Sequence, residues 1–272
     1  MSDPRPIGIF DSGVGGLTVA AAIASALPGE RILYLGDTAR LPYGTKSEET
    51  VTRYTQRNLE FLAGRGVKAV VVACNTASAL ALPRLEVSLP LWGVIEPGAK
   101  CAAAVSRGRV GVIATEATVR SRAYEAALRR RRPELEILSV ACPLFVPLVE
   151  EGWTDDPVTE QVARRYLEPL LATGIDTLVL GCTHYPLLAP LIARLAGESV
   201  TLVDSAAATA ADVARELSGR GWLADRPQGE SHLFVTDTAE RFGMLARRIL
   251  GHDARLELVE LGTDAGSQKG ER

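Results

Sequence analysis

Lysine is scarce in this chain of 272 residues: Lys46, Lys68, Lys100 and Lys269 are the whole supply. Pyridoxal-phosphate chemistry needs a lysine in the site, and none of the four directly follows a strand pattern beside the glycine-rich turn near the start. Cysteine is also sparse. Cys74, Cys101, Cys142 and Cys182 lie far apart, without the close pairs of a zinc knuckle. Neither a cofactor nor a metal is expected. A formal net charge of −3 supplies no positive field for nucleic acid or anionic membrane. No apolar run approaches the roughly 18 residues of a membrane span. The opening Met1-Ser2-Asp3-Pro4-Arg5-Pro6 has neither the basic start nor the apolar stretch of a secretory signal. The expectation is a cytoplasmic protein with a small-molecule substrate.

What is present is an alternation. Short β-rich apolar runs are expected at Ile7–Phe10, Arg31–Leu35, Ala69–Ala73, Leu91–Ile95, Val110–Ala114, Glu136–Val140, Thr177–Leu180 and Val200–Val203. Helical patterns cover Leu17–Leu27, Glu48–Ala63, Thr118–Arg131, Val158–Leu171 and Ala206–Leu217, with Thr45 and Glu48 forming a capping box. Strands apolar on both faces and spaced by helices mean an α/β fold with mainly parallel sheets. Ligands then bind at the carboxyl ends of strands.

Those strand ends repeat. Val70-Val71-Val72-Ala73-Cys74-Asn75-Thr76 resembles Leu178-Val179-Leu180-Gly181-Cys182-Thr183-His184. Gly8-Ile9-Phe10-Asp11-Ser12 faces Gly111-Val112-Ile113-Ala114-Thr115, and Leu35-Gly36-Asp37 with Pro42 matches Val140-Ala141-Cys142 with Pro147. Three matches in one order imply two pseudo-symmetric α/β domains. Their boundary is expected near Glu96-Pro97, giving 97–204 as the second domain. The remainder after Asp204, including a hairpin-like end, packs back to complete a first domain of 1–96 plus 205–272.

Cys74 and Cys182 thus occupy matched positions where a strand hands over to a helix. A thiol has a pKa of about 8.5, lowered at a helix N-terminus, so it serves as acid or base near neutrality. Inverting a stereocentre by proton exchange needs one such group on each face of the carbon. Cys101 and Cys142 read as core filler. The turn Asp11-Ser12-Gly13-Val14-Gly15-Gly16 offers backbone N–H groups to an anion. It imitates a dinucleotide fingerprint, with Asp37 as the ribose acid, but its third glycine falls on Thr18. An amino-acid carboxylate suits it better, with Asp11 near the ammonium. Gly36-Asp37-Thr38 and Pro42-Tyr43-Gly44 make a candidate pocket wall. His184 is placed to orient the thiol of Cys182, and Glu150 is a supporting acid. The run Arg129-Arg130-Arg131-Arg132 reads as a solvated helix end.

Taken together, the stretch Gly8–Leu17, the Gly36-Asp37 and Pro42-Tyr43-Gly44 elements, Ala73-Cys74-Asn75-Thr76-Ala77 and Gly181-Cys182-Thr183-His184-Tyr185-Pro186-Leu187 resemble the bacterial glutamate racemases over nearly the whole chain. The resemblance implies interconversion of L- and D-glutamate for peptidoglycan, a site in a cleft between two domains, and a homodimer. It implies that Cys74 deprotonates D-glutamate and Cys182 L-glutamate, assisted by Asp11 and His184. Substrate contacts would come from Asp11, Ser12, Tyr43, Gly44, Asn75, Thr76, Thr183 and His184, with support from Asp37, Pro42, Thr115, Thr118 and Glu150. Still open are an aspartate or hydantoin racemase of the same family and a non-catalytic protein that binds acidic amino acids.

Overall fold

The computed structural model describes residues 2–226, 229–237 and 239–262. The chain starts with β1 (Ile7–Asp11), α1 (Leu17–Ala26), β2 (Ile32–Gly36), α2 (Glu48–Ala63), β3 (Ala69–Val72), α3 (Asn75–Leu80), β4 (Leu91–Gly93) and α4 (Ile95–Val105). A second series follows: β5 (Arg109–Ala114), α5 (Glu116–Ser121), α6 (Ala123–Arg131), β6 (Glu136–Ala141), α7 (Phe145–Glu150), α8 (Pro157–Leu171), β7 (Thr177–Gly181), α9 (Ala189–Ala196) and β8 (Thr201–Asp204). The described chain closes with α10 (Ser205–Gly219), β9 (His232–Val235), α11 (Ala239–Leu250) and β10 (Leu256–Leu258).

Among the described residues every strand pairing is parallel. One sheet runs β10-β9-β2-β1-β3-β4 and the other β6-β5-β7-β8. The order β2-β1-β3-β4 is therefore repeated as β6-β5-β7-β8, strand for strand in the sense the sequence matches require. Position in the sheet follows from composition. Val70, Val71 and Val72 of β3 are wholly buried, each contributing about 1.5–3 kcal/mol. β6 has no fully buried residue and forms an edge. Helices cover both faces: α1, α10 and α11 pack on one side of the larger sheet and α2 and α3 on the other. The smaller sheet lies between α4 and α6 on one face and α7, α8 and α9 on the other.

Several local expectations are corrected. α2 is capped by Ser47, whose Oγ accepts from the Thr50 N–H at 3.3 Å, whereas Thr45 belongs to a 3₁₀ turn over Tyr43–Thr45. Ser47 has the extended backbone that a cap requires. The helix expected over Thr118–Arg131 is two helices, because Arg122 adopts the left-handed conformation at φ 56°. Its guanidinium holds both oxygens of Glu125 at 2.7 and 2.8 Å. Residues Glu96 and Pro97 lie in the first turn of α4, a helix packed on both α6 and α10. The segment after α10 is a parallel β–α–β unit and not a hairpin: β9 pairs with β2, and β10 pairs with β9. Residues 263–272 lie outside the described residues.

Candidate active site

The carboxyl ends of both sheets border one cavity of about 360 Å³. From the larger sheet come Ser12 after β1, the Pro42-Tyr43-Gly44-Thr45 loop after β2, and Cys74, Asn75 and Thr76 after β3. From the smaller sheet come Thr115 and Glu116 after β5, and Cys182, Thr183 and His184 after β7. Cys74 and Cys182 therefore enter one cavity from equivalent positions.

Their surroundings differ. Cys74 is the N-cap of α3, its sulfur accepting from the Ala77 N–H at 3.5 Å and lying 3.7 Å from Ser12 Oγ. Burial, and then the charge of Asp11, push the Cys74 thiol up to about 12 against the help of those two partners. The helix terminus therefore does not produce the lowered pKa expected from the sequence; desolvation outweighs it. Cys182 has His184 beside it, with Nδ1 3.9 Å from the sulfur. The other ring nitrogen of His184 is 3.2 Å from Glu150 Oε1. Burial opposes a charge on His184, but the Cys182 sulfur and Glu150 outweigh it and raise the imidazolium to about 10.

The glycine turn works differently from expectation. Asp11 is wholly buried and lies outside the cavity lining. Its Oδ2 accepts from the N–H groups of Gly13 and Gly16, each at 3.0 Å. Those donors are occupied by the protein's own carboxylate and not offered to a ligand. Burial raises the Asp11 carboxyl, against the charge of His184 and these N–H donors. Thr183 Oγ1 stands 3.4 Å from Asp11 Oδ1, so Asp11 reaches the cavity through Thr183. Two of the glycines are needed for space. A Cβ on Gly15 would stand 2.5 Å from both His184 Nδ1 and Thr183 Oγ1, and one on Gly16 would stand 2.3 Å from Asp11 Cβ.

Asp37 and Thr118 also lie behind the wall. Tyr43 donates its hydroxyl to Asp37 and accepts from Asn58 Nδ2 at 3.0 Å, so its hydroxyl is tied to residues outside the lining. Thr76, Thr115 and Thr118 form a triangle of hydroxyls at 3.0, 3.3 and 3.0 Å, joining the two sheets' loops. Gly44 approaches Thr115 so closely that an added Cβ would be 2.9 Å from the threonine's. Sequence reasoning missed the apolar wall of Leu41, Pro143, Val146 and Pro147. Pro143 follows β6, so the rule that found the other strand ends could have found it.

Lys46, Lys68 and Lys100 do not line the cavity, and Lys269 lies outside the described residues. Lys68 is buried in a structural role: Nζ is 2.6 Å from Glu30 and donates to the carbonyls of Asp3 and Trp222 at 2.8 and 2.7 Å. Cys142 is buried in the smaller sheet's core and Cys101 is half-buried in α4. The arginine run closes α6, where Arg129 pairs with Glu125, and Arg130 and Arg131 pair with Glu96. Among the described residues no helix is long and apolar enough to cross a membrane.

Comparison with known proteins agrees with this geometry. The profile of the Asp/Glu/hydantoin racemase family matches residues 16–213. A glutamate racemase of Geobacter metallireducens is 58% identical over 253 residues, covering 91% of this chain and 93% of the relative. The crystal structure of a glutamate racemase isoform of Bacillus anthracis superimposes with a TM-score of 0.92 at 43% identity, covering 94% of this chain and 98% of that one. A Francisella tularensis glutamate racemase, solved with D-glutamate, gives a TM-score of 0.89 at 37% identity over 95% of this chain and 98% of its own. The chain belongs to the glutamate racemases of the Asp/Glu/hydantoin racemase family.

Proposed function

We propose that the cavity interconverts L- and D-glutamate by proton transfer at the α carbon between the sulfurs of Cys74 and Cys182. One observation carries this reading: two cysteines that follow equivalent strands, β3 and β7, line a single cavity. In the direction from L-glutamate, the Cys182 thiolate takes the α proton and the Cys74 thiol delivers its own to the opposite face. The reverse direction starts with Cys74 as thiolate. Substrate loses and gains one proton, and the two sulfurs exchange protonation states. His184, held by Glu150, stands as a positive charge beside the Cys182 sulfur. Among the described residues no lysine or arginine lines the cavity. The substrate carboxylates are therefore met by neutral donors: the hydroxyls of Ser12, Thr76 and Thr183, the amide of Asn75, and the backbone of the Tyr43-Gly44 turn.

In this reading residues 1–96 with 205–272 make one domain and 97–204 the other, supported by the return of β9 to β2. The enzyme works in the cytoplasm, supplies D-glutamate for peptidoglycan, and assembles as a homodimer. The test is exchange in D2O. Cys74→Ala and Cys182→Ala should each abolish racemisation, and each should retain α-proton exchange with only one enantiomer. Full racemase activity in either variant would defeat the two-thiol mechanism. Faster turnover of aspartate than of glutamate would defeat the substrate assignment.

A further inference from the structure

Asn75 is the first residue of α3, follows Cys74, and is 2% exposed in the cavity wall. Its amide has one accepting end and one donating end. The accepting end is used: Tyr124 donates its hydroxyl to Asn75 Oδ1 at 2.7 Å. The donating end, Nδ2, is buried with no partner among the described residues. A buried N–H left unmatched is costly in the empty site, and a carboxylate oxygen is the group that satisfies it. The reverse orientation would aim an oxygen at a dicarboxylate substrate and repel it.

We propose that Tyr124 is a positioning residue for substrate binding, its hydroxyl fixing the Asn75 amide so that Nδ2 faces the cavity. The inference rests on the racemase reading above. Tyr124 lies on α6, beside the smaller sheet, and it is itself 2% exposed. A phenol has one proton to give. Asn75 Oδ1 offers only lone pairs, so that proton is directed to it. The ring is fixed as well. A Cβ on Gly181 would stand 3.0 Å from Tyr124 Cε2, and one on Gly98 would stand 3.3 Å from the Tyr124 ring and hydroxyl. One buried side chain thus touches the amide next to Cys74 and the strand end directly before Cys182. It joins α3 and α6, which pack on the two different sheets.

The test is Tyr124→Phe, which keeps the ring and removes the hydroxyl. KM for both enantiomers should rise about three- to tenfold, the loss expected of one neutral hydrogen bond, while kcat changes little. In an Asn75→Ala background the same substitution should add nothing, because the hydroxyl acts only through the amide. An unchanged KM in Tyr124→Phe, or effects that multiply in the double variant, would overturn the proposal. Should Tyr124→Phe not fold, Asn75→Asp carries the test: an oxygen in place of Nδ2 should raise KM for both enantiomers more than about tenfold, and an unchanged KM overturns the assignment. A wild-type chain inactive on glutamate would instead remove the racemase reading itself.

Discussion

His184 Nδ1 stands 3.9 Å from the sulfur of Cys182, whereas the side-chain partner of the Cys74 sulfur is the hydroxyl of Ser12. Equivalent strands deliver the two thiols into unequal surroundings. Because L- and D-glutamate have equal free energy in water, kcat/KM must remain equal for both whatever is mutated. His184→Asn should therefore lower kcat/KM about a hundredfold in both directions alike, the low end for loss of an acid/base assistant. Its kcat should fall unequally for the two enantiomers. Steady-state kinetics from each enantiomer checks this, and an unchanged kcat/KM would remove His184 from the mechanism.

Glu150 holds the far side of the same ring at 3.2 Å and helps raise the imidazolium to about 10. A raised pKa contributes stability that is complete below the unfolded value of about 6.5 and is lost as pH rises through the folded value. Glu150→Gln should therefore lower Tm most near pH 6, with the difference closing toward pH 10.5. The alkaline limb of the activity profile should also move to lower pH. A Tm difference independent of pH would contradict the pairing.

Gly15 is in close approach to the ring of His184, and a methyl group there would stand 2.5 Å from Nδ1. Gly15→Ala should displace His184 and Thr183 and reduce kcat/KM by about a hundredfold, as small misplacements in a site do. The cost in stability should be about 1–3 kcal/mol of overpacking. Kinetics alongside thermal melts separate the two effects. Wild-type activity would mean that the turn yields without moving the ring.

The thiol of Cys74 is pushed up to about 12 by burial and by Asp11. In a Cys182→Ser variant without substrate, alkylation of Cys74 by iodoacetamide should be slow at pH 7. Its rate should climb about tenfold per pH unit to at least pH 10, since only the thiolate reacts. Peptide mass mapping assigns the modified residue. A plateau near pH 8.5 would show an unperturbed thiol.

Away from the cavity, Asp176 anchors the start of the smaller sheet. It accepts from Ser106 Oγ at 2.8 Å, the backbone N–H groups of Arg107 and Arg109 at 3.0 and 2.9 Å, and Thr177 Oγ1 at 2.7 Å. Burial opposes the carboxylate, but these donors outweigh it and hold its pKa at about 2. A lowered pKa contributes stability that is present above the unfolded value of about 3.9 and lost as pH falls through the folded one. Asp176→Asn should cost about 2 kcal/mol at pH 7, with the difference from wild type shrinking between pH 4 and pH 2. Urea melts across that range check the slope.

Much of this fold was legible because burial leaves a local trace. The valines of β3 and the periodicity of α2 announce their elements, and the strand-end rule leads from them to Cys74, Thr115 and Cys182. The misreadings have nonlocal causes. Nothing near Asp11 in sequence reveals that its carboxylate turns inward onto Gly13 and Gly16. The capping motif at Thr45 is genuine as a pattern, but the loop spends Thr45 on the cavity rim and leaves the cap to Ser47. Tyr124 carries no motif at all, and its link to Asn75 exists only once α6 and α3 meet.

The repetition of one strand order in two sheets has a stereochemical consequence. A polymer of L-amino acids has no mirror plane, so it has no direct way to treat two mirror-image molecules alike. It can present the same device twice, once to each side of a carbon. Under the proposed mechanism the duplicated strand end substitutes for the missing mirror. The unmatched His184 marks where the protein's own handedness shows through.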